Sequence, residues 1–231
     1  MNERDRKLID EQIDYYRKRA PEYDATSTPE GDPLASQALV IETAFDAFHP
    51  GGRILELACG TGSWTRQLVA YGDHVTALDA SPEMLALARA KVGDTRVRYI
   101  EADVFGWTPD VVYDVVFFAN WLSHVPPSRF DDFWALVARC VEDRGRVFFI
   151  DEAEDAWRHE EELTEEFLEG GGTPLVRRRL QDGSAHRVVK VFWNPQELQA
   201  RLRSMGWDVR VQSTGAFFWG EGSRSLPPSA T

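Results

Sequence analysis

Short apolar runs alternate with amphipathic stretches through the first two thirds of the chain. Apolar runs predict strands at 53–57, 75–79, 96–100, 110–118 and 146–151. Apolar residues at helical spacing predict helices at 3–20, 35–48, 63–71, from residue 82 onward, and at 128–141. Strands that alternate with helices in this way indicate a parallel sheet with right-handed crossovers, and hence an α/β fold.

The alternation ends after residue 151. The acidic stretch through Glu169 predicts a helix, and 175–193 predicts a β-hairpin with Asp182-Gly183 at its turn. The remaining elements are expected as a helix at 195–204, strands at 207–213 and 216–219, and a disordered tail from 222. The segment 152–193 therefore looks like an insertion into the alternating pattern.

The first strand runs directly into a glycine-containing turn and a helix. The sequence from Ile54 is Ile-Leu-Glu-Leu-Ala-Cys-Gly-Thr-Gly-Ser, with glycines at Gly60 and Gly62. Glycine lets the backbone turn sharply and approach a ligand closely, and the free N–H groups of the following helix attract negative charge. We expect this turn to hold an anionic group or a carboxylate-bearing cofactor.

The second strand ends on Asp79, which lies 23 residues after Glu56. An acid at the tip of the second strand of a nucleotide-binding fold accepts hydrogen bonds from the hydroxyls of a ribose. The dinucleotide fingerprint requires a third glycine, and Thr65 stands in that place. The pair of motifs therefore indicates a nucleoside cofactor other than NAD.

Glu56-x-Ala58-x-Gly60-x-Gly62 followed by Asp79 resembles the first two motifs of class I S-adenosylmethionine-dependent methyltransferases, with Ala58 where the family usually has glycine. The resemblance implies a Rossmann-like sheet of seven strands, mostly parallel with one antiparallel strand, and S-adenosylmethionine (SAM) as cofactor, with S-adenosylhomocysteine (SAH) as product. We expect one domain, divided into an N-terminal helical cap and lid at 1–34, a cofactor-binding core at 35–151, an inserted helix and β-hairpin as substrate cap at 152–193, a C-terminal helix and strands at 194–221, and a tail at 222–231.

The N-terminal segment also resembles small-molecule methyltransferases, in which it covers the methionine end of the cofactor. Tyr16 and Arg19 would then reach the cofactor carboxylate, and 25–36 would be a loop. The resemblance gives the cofactor site as Tyr16, Arg19, Glu56, Ala58, Gly60, Thr61, Gly62, Trp64, Asp79, Ala80, Met84, Asp103, Val104, Phe105 and Ala119. On the residues alone, Trp64 and Met84 also fit core positions, and Asp103 also fits a surface turn.

The acceptor side is expected beyond the fourth strand and in the cap. Trp121 and His124 follow the carboxyl end of that strand, where open α/β sheets bind ligands. Alternation along the hairpin places Arg178 among apolar residues and lets Lys190 join it, so both could hold an acid. Two alternatives stay open: the basic residues pair with the acidic stretch 158–169, or the opposite face of the return strand points inward.

The motifs together resemble a narrower branch of phosphonate and fatty acid O-methyltransferases. This resemblance implies methylation of an acidic oxygen, and an aromatic set suited to an apolar channel favours a fatty acid carboxylate over a phosphonate or a phenol. The aromatic set is Trp157, Phe167, Phe192, Trp193, Phe217, Phe218 and Trp219. His124 would orient an acid, or act as the base for a hydroxyl. A cofactor-binding protein without turnover is the alternative of a different class.

The composition limits which classes of partner and which cellular compartment we expect. The 231 residues carry a net charge of −12, which disfavours nucleic acid and anionic membranes as general partners. Two cysteines and no long apolar run predict a cytoplasmic protein without a membrane span. The resemblance implies a small-molecule acidic substrate, and we expect no metal.

Overall fold

A computed structural model describes residues 3–27, 34–154, 166–168 and 173–225. Its central sheet has seven strands in the order β3-β2-β1-β4-β5-β10-β9, and a separate sheet has the order β6-β7-β8. The strands are β1 Arg53–Leu57, β2 His74–Asp79, β3 Val97–Glu101, β4 Tyr113–Ala119, β5 Val141–Glu152, β6 Glu166–Leu168, β7 Leu175–Arg179, β8 Ala185–Val189, β9 Trp207–Ser213 and β10 Phe217–Arg224.

The central sheet confirms the predicted arrangement. Neighbouring strands from β3 through β5 pair in parallel, and β10 is antiparallel to both of its neighbours. The strand order reverses between β1 and β4, where open α/β sheets form a ligand crevice at the carboxyl ends of the strands.

The prediction of a tail from residue 222 is wrong at 222–224, because β10 continues to Arg224 between β5 and β9, and residues 226–231 lie outside the described residues. Two glycines of this strand occupy tight places. A Cβ on Gly220 would lie 2.1 Å from the Phe149 ring, and one on Gly222 would lie 2.0 Å from the Asp208 carbonyl oxygen. The missing side chain of glycine permits this close strand pairing, although the low strand propensity of glycine argues against a strand at the sequence level.

Helices cover both faces of the sheet and build two apolar cores. The helices are α1 Glu3–Arg19, α2 Tyr23–Ser27, α3 Ala35–Phe48, α4 Ser63–Leu68, α5 Pro82–Val92, α6 Phe130–Cys140 and α7 Pro195–Ser204, with short 3-10 turns at Ala20–Glu22, Leu122–His124 and Pro127–Arg129. Ser81 caps α5 as expected, since its Oγ accepts a hydrogen bond of 3.1 Å from the Met84 N–H. On one face α6 and α7 pack against Phe118 and Phe149, and on the other α3 packs against Phe117.

The second sheet forms the cap. The predicted hairpin is present as β7 and β8, which pair from Leu175↔Val189 to Arg179↔Ala185. The helix predicted from 152 through Glu169 is wrong at Glu152, which belongs to β5, and at 166–168, where β6 pairs with β7. Its residues 155–165 and 169 lie outside the described residues. The loop predicted at 25–36 is helical at both ends, because α2 extends to Ser27 and α3 begins at Ala35, and its residues 28–33 lie outside the described residues.

Within the described ranges, no helix is both long enough and apolar enough to cross a bilayer.

Candidate active site

A cavity of about 890 Å³ opens at the carboxyl ends of the central strands and is covered by α1, α2 and the cap sheet. Most of the predicted site residues line it. They are Tyr16, Arg19, Ala58, Gly60, Trp64, Asp79, Ala80, Met84, Asp103, Val104, Ala119, Trp121, His124, Arg178 and Lys190. One cavity therefore contains both the residues predicted for a cofactor and those predicted for an acceptor.

The loop after β1 is held in a left-handed conformation next to Asp79. Ala58, Gly60 and Gly62 have φ values of 55°, 54° and 81°. The Gly60 N–H donates to Asp79 Oδ2 at 2.8 Å, and the Ser81 N–H donates to Asp79 Oδ1 at 2.9 Å. Each carboxylate oxygen keeps further acceptor capacity, so Asp79 is fixed in place while it still faces the cavity.

Four predicted cofactor residues do not line the cavity: Glu56, Thr61, Gly62 and Phe105. Gly62 begins α4, and a Cβ there would lie 2.9 Å from the Ala88 Cβ, so this glycine serves helix packing. Phe105 packs against the Trp121 ring at 6.1 Å and so supports a residue that does line the cavity.

Glu56 is buried below the loop and accepts a hydrogen bond from Thr65 Oγ1 at 2.5 Å. Burial raises the pKa of Glu56 to about 8, although the Thr65 hydrogen bond opposes this. Its carboxyl group therefore remains largely protonated at neutral pH in the cofactor-free protein.

Thr61 connects the loop to the N-terminal helices. Its hydroxyl donates to Asp24 Oδ1 at 2.6 Å, and Lys91 Nζ lies 2.9 Å from the Thr61 hydroxyl and 2.7 Å from Asp24 Oδ2. These three residues join α2, the loop after β1 and α5. Lys91 and Asp24 were not predicted as part of the site. They lie 30 and 37 positions from Thr61, so no local sequence pattern connects them to it.

Tyr16, His124 and the Val189 carbonyl form a hydrogen-bonded chain. His124 Nδ1 lies 2.7 Å from the Val189 carbonyl oxygen, and His124 Nε2 lies 2.8 Å from the Tyr16 hydroxyl. Because a carbonyl oxygen only accepts, Nδ1 carries the hydrogen and Nε2 accepts from Tyr16. The single hydroxyl hydrogen of Tyr16 is therefore used by His124 and is not directed at another acceptor.

The environment of this chain keeps both groups neutral. Burial, together with the charges of Lys190 and Arg178, holds the pKa of His124 well below its ordinary value. Burial also raises the pKa of Tyr16. Both shifts oppose transfer of the Tyr16 proton to His124, so His124 is a poor base in this arrangement.

Arg178, Lys190 and Glu152 form a charged cluster on the cavity wall. Arg178 and Lys190 are only 7% and 2% exposed, and the ammonium of Lys190 contacts the Glu152 carboxylate. Burial raises the pKa of Glu152, but the charges of Lys190 and Arg178 outweigh it and lower that pKa to about 2. Glu152 was missed at the sequence level, and the only signal is its position at the carboxyl end of β5.

Comparison with known proteins identifies the family. Residues 54–145 match the family described as a methyltransferase domain. The structure of DhpI in complex with SAH is 40% identical, with a TM-score of 0.80, over 95% of this chain and 98% of that one. The chain belongs to the class I SAM-dependent methyltransferases. A DhpI–SAM–HEP complex is 43% identical, with a TM-score of 0.78, over 93% of this methyltransferase and 96% of that chain.

Two curated relatives are O-methyltransferases by name. The ubiquinone biosynthesis O-methyltransferase of Xylella fastidiosa (strain 9a5c) is 32% identical over 163 residues, which are 68% of this methyltransferase and 61% of that protein. The malonyl-[acyl-carrier protein] O-methyltransferase of Serratia marcescens is 31% identical over 121 residues, which are 48% and 45% of the two chains.

The aromatic residues expected to form a channel divide between cavity and core. Phe217 lines the cavity, whereas Phe218 and Trp219 are buried in the two cores of the sheet. Trp157 lies outside the described residues. Trp64 lines the cavity and also packs on Phe45 at 5.1 Å, so both of its predicted roles are compatible with its position.

In the part of the methyltransferase that the structure describes, no group of three or more His, Cys, Asp or Glu side chains is arranged to hold a metal ion.

Proposed function

We propose that this methyltransferase transfers the methyl group of SAM to an acidic oxygen of a small molecule, and that the acceptor is a fatty acid carboxylate. The observation that carries the proposal is the state of His124. Its Nε2 already accepts a hydrogen bond from Tyr16, and its pKa is lowered, so the site offers no strong base at this position. A carboxylate is already ionised at neutral pH and needs none, whereas a phenol must lose its proton.

Methyl transfer to a carboxylate balances without a proton transfer. The carboxylate oxygen attacks the sulfonium methyl carbon, the carbon–sulfur bond breaks, and the products are a methyl ester and SAH. The protein's contribution is alignment of the two reactants and exclusion of water. Buried Arg178 supports this role, because a positive side chain on the cavity wall would orient an anionic acceptor.

The cofactor would occupy the half of the cavity next to β1 and β2. Asp79, fixed by two backbone N–H groups, is suited to accept the ribose hydroxyls, and Asp103 is suited to accept from the adenine amine. Arg19 is suited to bind the cofactor carboxylate. Tyr16 is less suited to bind that carboxylate while its hydroxyl hydrogen is donated to His124.

The apolar part of the wall supports a long acyl chain. Leu34, Ala38 and Ile41 of the α3 region, together with Trp64 and Phe217, line the same cavity. Its volume of about 890 Å³ lies in the upper range for a small-molecule pocket, which leaves room for a second molecule beside a nucleoside cofactor. Burying an alkyl chain against such a wall contributes about 0.8 kcal/mol per methylene group.

The test is methyl transfer from labelled SAM to fatty acids of increasing length, to small alkyl phosphonates and to phenols. We expect a base-labile ester with fatty acids and a fall of at least tenfold in kcat/KM for Arg178→Gln. Arg177→Gln is the matched control, since Arg177 lies on the same strand and does not line the cavity. Transfer to phenols alone would refute the proposal and make His124 the base.

A further inference from the structure

We propose that Asn120 contacts the acceptor, and that its side-chain amide donates a hydrogen bond to the acid group and so orients the attacking oxygen toward the methyl group of SAM. This inference rests on the proposed function and deepens it, because it assigns a substrate-contacting residue at the place where the two reactants meet. Three observations support it: the place of Asn120 in the sheet, its backbone conformation and the hydrogen-bonding capacity of its side chain.

Asn120 directly follows β4, the strand that lies between β1 and β5 in the central sheet. Its N–H donates to the Ile150 carbonyl oxygen at 2.8 Å, which ties it to β5. It lines the cavity together with Gly60 after β1 and Glu152 at the end of β5. Asn120 therefore lies between the loop suited to the cofactor and the wall suited to the acceptor, at the point where the strand order reverses.

The backbone of Asn120 is left-handed, with a φ of 51°. This conformation is unfavourable for a residue with a side chain, although asparagine tolerates it better than most. Among the described non-glycine residues only His49 and Ala58 also have a positive φ, and Ala58 lies in the loop after the neighbouring strand β1. Such conformations cluster at ligand sites, where the surrounding structure enforces them. The left-handed conformation of Asn120 is therefore evidence for a functional role.

The Asn120 side chain keeps its full hydrogen-bonding capacity. A carboxamide offers two N–H donors and one carbonyl acceptor. In the part of the chain that the structure describes, none of these atoms has a hydrogen-bond partner, and the residue is exposed where it lines the cavity. Neighbouring polar groups are occupied, since the Ser123 N–H donates to Asp151 and both ring nitrogens of His124 are hydrogen-bonded. Asn120 therefore brings available donors to this part of the cavity.

A neutral amide suits the geometry of the reaction. The attacking carboxylate oxygen must lie in line with the breaking carbon–sulfur bond, and the other oxygen remains able to accept a hydrogen bond. An N–H of Asn120 donated to that second oxygen fixes the head group and leaves the charge on the attacking oxygen. The step stays balanced as a transfer of methyl from sulfur to oxygen, because no proton moves. An ionised aspartate in the same place would offer no donor and would repel the acid.

Two substitutions separate this contact from a structural role. Asn120→Gly removes the side chain and adopts the φ of 51° without strain, so we expect a Tm no more than about 3 °C below that of the wild type. Asn120→Asp keeps the shape of the side chain and replaces its donors by a negative charge.

The assay is methyl transfer from labelled SAM to decanoate. We expect kcat/KM to fall about ten- to one-hundredfold in Asn120→Gly, and by about one-hundredfold or more in Asn120→Asp. KM for decanoate should rise in both variants. The Kd of SAH, from calorimetric titration, should stay within about threefold of the wild type, because the contact is made with the acceptor and not with the cofactor.

His49→Gly is the matched control. His49 is an exposed residue at the end of α3 with a φ of 49°, and it does not line the cavity, so this substitution relieves the same backbone strain away from the reactants. We expect its Tm to equal or exceed that of the wild type and its kcat/KM to stay within about twofold.

Wild-type values of kcat/KM in both Asn120 variants would overturn the inference while the acid acceptor stood. A loss of SAH affinity as large as the loss of kcat/KM would also overturn it, since Asn120 would then contact the cofactor. A wild-type protein that methylates no acid would instead overturn the proposed function, and this contact with it.

Discussion

Replacing Lys190 by methionine tests the charged cluster through protein stability. Methionine keeps most of the length and apolar surface of the lysine stem and removes only the charge. Glu152 then loses one of the two positive charges that outweigh burial and lower its pKa to about 2. Removing one partner of a buried ion pair costs about 3–5 kcal/mol, because the other charge is left buried without compensation, so we expect the free energy of unfolding at pH 7 to fall by about 3 kcal/mol.

The pH dependence of this loss has a defined sign. The folded-state pKa of Glu152 is lower than its unfolded value, so its pairing stabilises the fold above about pH 4.5. As the pH falls from about 4.5 toward 2, the carboxylate becomes protonated and the contribution disappears. The difference between wild type and Lys190→Met should therefore be largest near neutrality and shrink over that acidic range.

Urea denaturation at a series of pH values measures the difference directly. Lys18→Met is the control, because Lys18 makes an exposed pair of 2.7 Å with Asp14 four residues earlier, worth at most about 0.5 kcal/mol. A Lys190→Met protein as stable as the wild type at pH 7 would refute the account of the cluster. A loss that did not change with pH would show that packing, and not charge, is the cause.

Three further substitutions test other parts of the site. Tyr16→Phe leaves the buried Nε2 of His124 unpaired and should lower stability by about 1–3 kcal/mol in thermal unfolding. The same variant should retain methylation of acids within tenfold, and complete loss of transfer would contradict the proposal that the reaction needs no base at His124. Ala58→Gly relieves a φ of 55° and should raise Tm by about 2–4 °C, and a lower Tm would show that the alanine methyl contributes packing. Glu56→Gln should stabilise the cofactor-free protein most above pH 8 and not at all below pH 4.5. The reason is that the folded-state pKa of Glu56 is raised to about 8, so ionisation of this carboxyl group opposes folding. Equal gains in stability in chemical denaturation at pH 4 and pH 9 would refute this.

Structural features that short stretches of sequence determine were predictable. The Gly60–Asp79 arrangement follows from two strand ends that parallel pairing brings together, and the Ser81 cap follows from three consecutive residues. The inward position of Arg178 also follows from alternation along one strand. In each case a local period or a fixed topology determines where the side chain lies.

Features that depend on distant residues were not predictable. Tyr16 and His124 are 108 positions apart, and their hydrogen bond decides which proton each of them carries. Glu152 meets Lys190 across 38 positions, and no period in either strand indicates that the two charges cancel. The length of β10 was missed for a related reason, since Gly220 and Gly222 make sense only against Phe149 and Asp208.

The contacts of α1 also have a consequence for biosynthesis. The helix is synthesised before the strands of the cap, yet Glu11 accepts a hydrogen bond from the Arg187 N–H, 176 residues later, and Gln12 accepts from the Val189 N–H. Closing so long a loop is entropically costly and slow compared with formation of the central βα units. A nascent chain that stops before the hairpin can therefore pair β1 to β5, but α1 has no cap strand to dock on. Competence to hold an acceptor is thus acquired late, only after β8 has been made.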